Sequence, residues 1–234
     1  MSNFLYANDS RATYPLSWYA QSSGDTPQRT ALDQPVSSDV CIIGAGFTGL
    51  STALHLAQKG FSVTVLEAHR VGFGASGRNG GQMGSGFNQD QRKLEKTMGH
   101  DAAHRLWEMT QDAKSLTRSL VTQFAPEANY KPGVAEADFS FKDRDNSHAK
   151  AAHLEKNYGY GEMECLDTSA ISDLIKSPRY AGGLIDWGAG HLHPLRYALG
   201  LARAAETAGA IIYEDSHVLQ VQEGSPNILQ TDLG

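Results

Sequence analysis

The chain has 234 residues, 40% of them hydrophobic, and a formal net charge of -6 at pH 7. That is enough apolar material for one large core or two smaller ones, and an acidic balance with no Lys/Arg cluster excludes a nucleic-acid partner. No apolar run reaches membrane-spanning length, the start MSNFLYANDSRATYPLSWYA has no basic segment leading into an apolar one, and Cys41 and Cys165 form no CxxC pair; the expectation is a cytoplasmic chain with reduced thiols and no membrane contact.

In chain order, residues 1–37 read as an N-terminal arm rich in Ser, Thr, Gln and Pro. Its Tyr14, Leu16, Trp18 and Tyr19 are expected to dock on the folded body, with a small partner-binding patch as the other reading. A strand then runs through Val40-Cys41-Ile42-Ile43 into Gly44-Ala45-Gly46-Phe47-Thr48-Gly49. Glycines at the first, third and sixth positions after a strand read as a dinucleotide cradle: Gly44 for the tight turn, Gly46 for close approach of a pyrophosphate, Gly49 for helix-on-strand packing. The amides at the start of the helix, with the positive end of its dipole, would hold a diphosphate without a basic side chain. That helix is expected from Thr48 to Lys59, burying Leu50, Ala53, Leu54 and Ala57, with Gly60 as its cap. An alternating, β-branched strand from Phe61 to Leu66 follows and ends at Glu67, an acid placed to bind ribose hydroxyls and to repel a 2′-phosphate. The alternative is an ordinary βαβ unit with glycines in its loop.

From Val71 to Phe87 the chain reads VGFGASGRNGGQMGSGF. So many glycines forfeit too much backbone entropy for helix or strand, which predicts a long loop free of regular structure. Ser76, Arg78, Asn79 and Gln82 among them could hydrogen-bond a diphosphate, a ribityl chain or a flavin edge, which suits a binding loop better than a spacer. A helix from Asp101 to Phe124 follows, its buried stripe expected at Ala102, Leu106, Met109, Ala113, Leu116, Leu120 and Phe124, with Trp107 beside it in the core. Next come a strand-like Val134–Phe141, a solvated charged turn at Lys142-Asp143-Arg144-Asp145, a helix from about Ser147 to Tyr158, and a short helix capped at Asp167 and closed by Pro178. His191 and His193 alternate at a strand end, but no third or fourth ligand stands near, so a helix-entry loop is expected and no metal. His55, His100, His104, His148 and His153 are expected to be solvated. Pro194 opens a helix that Gly209 ends; Ala210–Tyr213 should extend the parallel sheet, and Val218–Val221 should begin a β-meander.

The stretch GAGFTGLSTALHLAQKGFSVTVLEAHRVGFGASGRNGGQ, with YKPG at Tyr130–Gly133 and GHLHPLRYALG later, resembles the D-amino-acid-oxidase-like family of FAD-dependent flavoproteins, and within it the gamma-glutamylputrescine oxidase branch. The likeness runs from about Tyr14 onward. It implies an α/β, Rossmann-like FAD-binding domain with an inserted α+β substrate domain: FAD-binding parts at 38–99 and 190–234, and a helical segment with a partial substrate domain at 100–189. It also implies FAD contacts from Phe47, Thr48 and Ala68 as well as Gly44, Gly46, Gly49 and Glu67. Ser76, Arg78 and Asn79 would lie round the diphosphate and ribityl chain, Gly80, Gly81 and Gln82 would face the flavin, and the main chain at Val218 would touch adenine. The reaction implied is oxidation of a C–H bond next to an amine of a small amine or amino-acid substrate, with molecular oxygen as acceptor. Such chemistry needs no dedicated base, and the catalytic residues stay unassigned. The family continues well past Gly234, so the chain reads as C-terminally incomplete. A non-catalytic nucleotide-binding fragment is the alternative, and an NAD-dependent dehydrogenase a more distant one.

Overall fold

The computed structural model describes Tyr6 and residues 9–233; residues 1–5 and 7–8 of the expected arm, and Gly234, lie outside the described residues. The chain forms two compact units. The first takes the described residues up to Gly80, Leu120–Asn129 and those from His193 onward; the second takes Gly81–Ser119 and Tyr130–Leu192. Residues 81–99, expected with the nucleotide-binding part, thus belong to the second unit, and the arm is part of the first. Side chains tie the arm down. Helix α1 (Trp18–Ser22) is capped by Ser17, whose hydroxyl accepts from the Ala20 N–H at 3.2 Å. Tyr14 donates to the Val71 carbonyl at 2.6 Å, and burial pushes its phenol above the ordinary range. Tyr19 meets the His193 ring edge-on at 4.9 Å. Leu16 departs from the expected docking, being 96% exposed.

Strand β1 (Val40–Ile43), helix α2 (Phe47–Gln58) and strand β2 (Val63–Leu66) form the βαβ start. The helix buries Leu50, Ala53, Leu54 and Ala57, the expected stripe, and Gly60 donates to Ala57 O at 2.9 Å as the chain leaves it. Strand β2 begins two residues later than expected, because Ser62 is engaged by Asp39: its N–H and its hydroxyl both donate to Asp39 Oδ2, at 2.8 and 2.6 Å. Nor does β2 alternate in burial; all four of its residues are buried. It is the inner strand of a parallel sheet, and such strands are covered on both faces.

The second unit contains β3 (Gln82–Met83), α3 (Gln91–Met98), β4 (Lys131–Asp138), α5 (Phe141–Tyr158), β5 (Met163–Leu166), α6 (Thr168–Ile175) and β6 (Gly182–His191), while α4 (His100–Phe124) gives it all but its last five residues. Strand β6 is the hub, pairing antiparallel with β3, β4 and β5. Its glycines hide it from a propensity reading, and all four have a steric reason: a Cβ on Gly182 would lie 2.7 Å from Leu166 O, one on Gly183 2.2 Å from Glu136 O, one on Gly188 2.0 Å from the Tyr160 hydroxyl, and one on Gly190 2.4 Å from the Tyr130 ring. Strand β4 starts at Lys131, three residues before the expected segment. Helix α5 starts at Phe141, so Lys142–Asp145 is its first turn and not a loop. Ser140 sets that start: its hydroxyl accepts from Asp143 N–H at 3.2 Å and donates to the Asp143 carboxylate at 2.6 Å, a reciprocal cap.

Helix α4 buries a different face from the one its apolar spacing suggests. Ala103, Trp107, Lys114, Leu120 and Val121 are buried, whereas Met109 and Leu116 are 61% and 47% exposed. Trp107 decides the rotation, packing with Leu154 and Tyr160 in the core of the second unit, as its expected core role requires. Lys114 follows it inward and finds three acceptors: Ser85 Oγ at 2.6 Å, Tyr160 OH at 3.2 Å and Gly188 O at 3.1 Å. Several histidines expected in solvent are likewise half-buried and engaged. His148 Nε2 lies 3.2 Å from Leu166 O and 3.1 Å from Gly183 O, His153 Nε2 is 2.8 Å from Glu95, and the His55 ring is 2.7 Å from Ser51 O.

The chain returns to the first unit in α7 (Pro194–Thr207) and β7 (Ile211–Tyr213), followed by the antiparallel hairpin β8 (Val218–Gln222) and β9 (Ile228–Thr231). Strands β1, β2 and β7 are parallel in that order, with Val40 opposite Val63 and Thr64 opposite Ile211. Helix α7 buries ten residues, among them Leu195, Ala198, Leu201, Ala202 and Ala205, and packs on α2. Among the described residues no helix is long and apolar enough to cross a membrane.

His193 is the N-cap of α7; its Nδ1 accepts from Arg196 N–H at 3.1 Å. That acceptor must be unprotonated, and burial first, then the Arg196 charge, lower its pKa. As pH falls through the ordinary histidine value near 6.5, the unfolded chain takes a proton that the folded chain refuses, so stability declines until the folded pKa is passed. His193→Asn keeps a capping acceptor that does not titrate. Urea midpoints at pH 7.5 and 5.5 should show the variant gaining on the parent at the lower pH; an unchanged gap would refute this role.

Candidate cofactor-binding site

The first glycine turn follows directly from its steric needs. Gly44 has φ +98°, and its N–H donates to Leu66 O at 2.8 Å, which locks the turn to the end of β2. A Cβ on Gly49 would lie 2.1 Å from Gly44 O and 3.2 Å from Ile42 Cγ2, so the helix can lie on the strand only with glycine there. The N-cap of α2 is Gly46, with no side-chain capping bond, and Thr48 is exposed in the first turn. Gly46 has a neighbour the sequence did not suggest: a Cβ there would meet Ser76 Oγ at 2.9 Å. That hydroxyl accepts from Phe47 N–H at 3.0 Å, which places Ser76 at the helix N-terminus. Glu67, just past β2, accepts from Ala45 N–H at 2.8 Å with one oxygen and from His69 N–H at 2.9 Å with the other, and Ala68 lies between. A carboxylate has about four acceptor positions, so two more bonds can form.

The segment after β2 is more ordered than a plain loop. Residues Ala75–Gly77 form a 3-10 turn and Gln82–Met83 form β3. The run Gly72-Phe73-Gly74-Ala75-Ser76-Gly77 repeats the G-x-G-x-x-G spacing, a signal plain in the sequence that was missed because the whole stretch reads as glycine-rich. Its geometry repeats as well: Gly72 has φ +67°, and a Cβ on Gly77 would lie 2.2 Å from Gly72 O and 3.1 Å from Leu195. The two turns are joined, since Gly72 N–H donates to Ala45 O at 2.9 Å.

Arg78 and Asn79 are occupied in shaping this second turn. Arg78 donates to Phe73 O at 2.7 Å and to both carboxylate oxygens of Asp9, with its guanidinium 4.2 Å from the Phe73 ring centroid. Asn79 donates to Ala75 O and Ser76 O, each at 3.0 Å. Gly80 ends the first unit. Gly81 and Gln82 lie in the second, where Gly81 O accepts from Leu192 N–H at 3.0 Å and Gln82 is opposite His191. Val218 opens β8, opposite Thr231.

A parallel sheet, a helix whose N-terminus has no side-chain cap behind Gly44–Gly49, and a carboxylate at the end of the second strand define a dinucleotide-binding α/β domain. The family described as FAD dependent oxidoreductase, abbreviated DAO, matches residues 39–234, and the chain belongs to it. Gamma-glutamylputrescine oxidoreductase of Escherichia coli (strain K12) is 38% identical over 218 residues, 93% of this chain and 51% of that protein. A probable oxidoreductase, OrdL, of Haemophilus influenzae is 40% identical over 223 residues, 95% of this chain and 51% of the relative. The chain therefore spans about half the length of the curated relatives it matches. Glycine oxidase from Geobacillus kaustophilus shares the fold with a TM-score of 0.68 at 22% identity, over 84% of this chain and 52% of that one. L-alpha-glycerophosphate oxidase from Mycoplasma pneumoniae, solved with FAD bound, gives 0.68 at 20% identity over 85% and 50%.

Proposed function

We propose that the first unit holds FAD and that the protein oxidises the C–H bond next to the amine of a small amine or amino acid, a substrate of the gamma-glutamylputrescine type being favoured by the E. coli relative. The observation that carries this is the N-terminus of α2, whose N-cap Gly46 makes no side-chain capping bond and whose first amide, that of Phe47, is met by the Ser76 hydroxyl, at the carboxyl end of a parallel sheet. Its first-turn amides at Thr48 and Gly49 and the dipole behind them would take the diphosphate. Ser76, already accepting from Phe47, has a hydroxyl proton to give a phosphate oxygen. Glu67, steadied by the Ala45 and His69 amides, would accept from the ribose hydroxyls, and the main chain of Ala68 and Val218 would border the adenine. Arg78 and Asn79 contribute by shaping the turn that carries Ser76; Gly80, Gly81 and Gln82 remain the candidates to face the flavin ring.

FAD held by these residues would supply the two-electron oxidation of that C–H bond, with molecular oxygen as terminal acceptor reduced to hydrogen peroxide. Hydrolysis of the imine product would give an aldehyde from an amine, or a 2-oxo acid from an amino acid, together with ammonia or a smaller amine. The chain's own task is to hold the substrate and keep bulk water out, which calls for no dedicated base. Cys41 and Cys165 are both free, which supports a reducing compartment, the cytoplasm.

Two measurements test this reading. Purified protein should be yellow, and Glu67→Ala should weaken FAD by about 10- to 100-fold, the loss of one or two hydrogen bonds to a charged group. Gamma-glutamylputrescine supplied in air to the protein should yield peroxide. Colourless protein that takes up no added FAD would refute the cofactor assignment; flavin-loaded protein that gives no peroxide would favour the non-catalytic, nucleotide-binding reading of this chain.

A further inference from the structure

Glu214, just after β7, is fully buried, and its carboxylate gathers two other segments of the chain. One oxygen accepts from Val71 N–H at 2.7 Å; the other accepts from Arg70 Nε at 2.8 Å and from Arg29 N–H at 2.9 Å. The Arg29 guanidinium lies 3.5 Å from the carboxylate and also forks onto Glu206. Arg70 in turn donates to Thr26 O at 2.5 Å. Two guanidinium groups thus face two carboxylates, and the cluster is neutral. Ser216 adds a parallel tie, accepting from Leu32 N–H at 2.8 Å while donating to Glu214 O at 2.9 Å.

Val71 is the residue before the second glycine turn. Its N–H is held by Glu214 and its carbonyl by Tyr14, and the next N–H, that of Gly72, reaches Ala45 in the first turn. We infer that Glu214 is a positioning residue: it brackets the entry to Gly72–Gly77, so that Ser76 is delivered to the N-terminus of α2, and it recruits residues 26–32 of the arm as part of that bracket. A buried carboxylate aimed at a backbone N–H is a costly way to stabilise a fold when an apolar pair would serve. Here its yield is the fixed placement of one amide.

This inference rests on the FAD reading, but its test separates the two. The full 234-residue chain is compared with two charge-balanced double variants. In Glu214→Gln with Arg70→Met an acceptor remains for Val71 N–H; in Glu214→Met with Arg70→Met none does, while the Arg29–Glu206 pair stays neutral in both. Hydrogen exchange of the amides at 71–77, relative to those of α2, should be about tenfold or more faster in the Met/Met chain and near the parent's in the Gln/Met chain. FAD dissociation constants, measured by fluorescence, should follow the same order, and the Met/Met chain, with the Val71 and Arg29 amides left without their acceptor, should melt lower than the Gln/Met chain, a global effect that the reference to α2 removes from the exchange comparison. Equal behaviour of the two variants in exchange would overturn the bracket, whether both matched the parent or both were loosened. A parent chain that binds no FAD would overturn the cofactor reading, and the exchange comparison would still decide the role of Glu214.

Discussion

A Gly49→Val chain is expected to purify without flavin and to unfold at lower urea than the parent. The added Cβ has nowhere to go: Gly44 O would be 2.1 Å away and Ile42 Cγ2 3.2 Å. The first obstacle is backbone within the turn itself, so relief requires α2 to move off β1, taking its first-turn amides with it. Overpacking of this kind costs about 1–3 kcal/mol, and a displacement of the amides removes the phosphate cradle, so FAD retention should fall by about 100-fold or more. Gly74→Ala is the matched control, because no atom lies within 4 Å of a Cβ there and Gly74 is not in the left-handed region. Absorbance near 450 nm (about the usual flavin band) and urea midpoints report both effects. A valine variant that retains a full complement of flavin would show that the turn does not bind it.

The second large effect is expected in the other unit. Tyr160→Phe removes one oxygen and leaves no cavity, yet that oxygen is shared by two buried charges. It donates to Asp186 Oδ1 at 2.6 Å and accepts from Lys114 Nζ at 3.2 Å, with Ser85 Oγ 2.7 Å away. Lys114 is already disfavoured as an ammonium: burial lowers its pKa, which Asp186 only partly restores. Without the phenol, apolar ring hydrogens separate the pair, and the loss of hydrogen bonds to two charged groups should cost about 3 kcal/mol. The denaturant midpoint should fall with an unchanged slope. Tyr160→Phe combined with Lys114→Met and Asp186→Asn, which removes both charges and keeps an acceptor for the Ala189 N–H, should recover part of the loss, as removal of a buried pair costs less than breaking it. A single variant as stable as the parent would mean that the network contributes nothing.

Local patterns were the legible part of this fold. A strand of Val, Cys and Ile, three spaced glycines, an apolar helical stripe and an acid after the next strand are each short-range signals, and β1, α2, β2 and the Glu67 turn stand close to where they were expected. What the sequence hid depends on distant partners. The glycines of β6 are unreadable without Tyr130 and Tyr160 beside them, because the space they leave is filled from elsewhere in the chain. The face of α4 was misjudged because Trp107 and Lys114 together outweigh Met109 and Leu116, and a buried lysine becomes acceptable only once Ser85, Tyr160 and Gly188 surround it. The turn geometry at Gly44 and Gly49 and the placing of Glu67 after β2 follow from spacing, but the bonds that Arg78 and Asn79 make do not. Both bond within their own loop or to the arm, and a polar residue among glycines looks the same in sequence whether it serves a ligand or its own backbone. Glu214 carried no local signal at all.

The parallel sheet of the first unit has a temporal consequence. Arg70 and Glu214, whose pairing braces the ends of β2 and β7, are 144 positions apart. A ribosome that has released residues as far as Leu192 has supplied every segment of the second unit, but only two of the three strands that make the first unit's sheet. Contacts so distant form late. During synthesis the nascent β1–α2–β2 segment must therefore persist with one edge of β2 unpaired until β7 emerges, an exposed strand edge of the kind that invites wrong pairing.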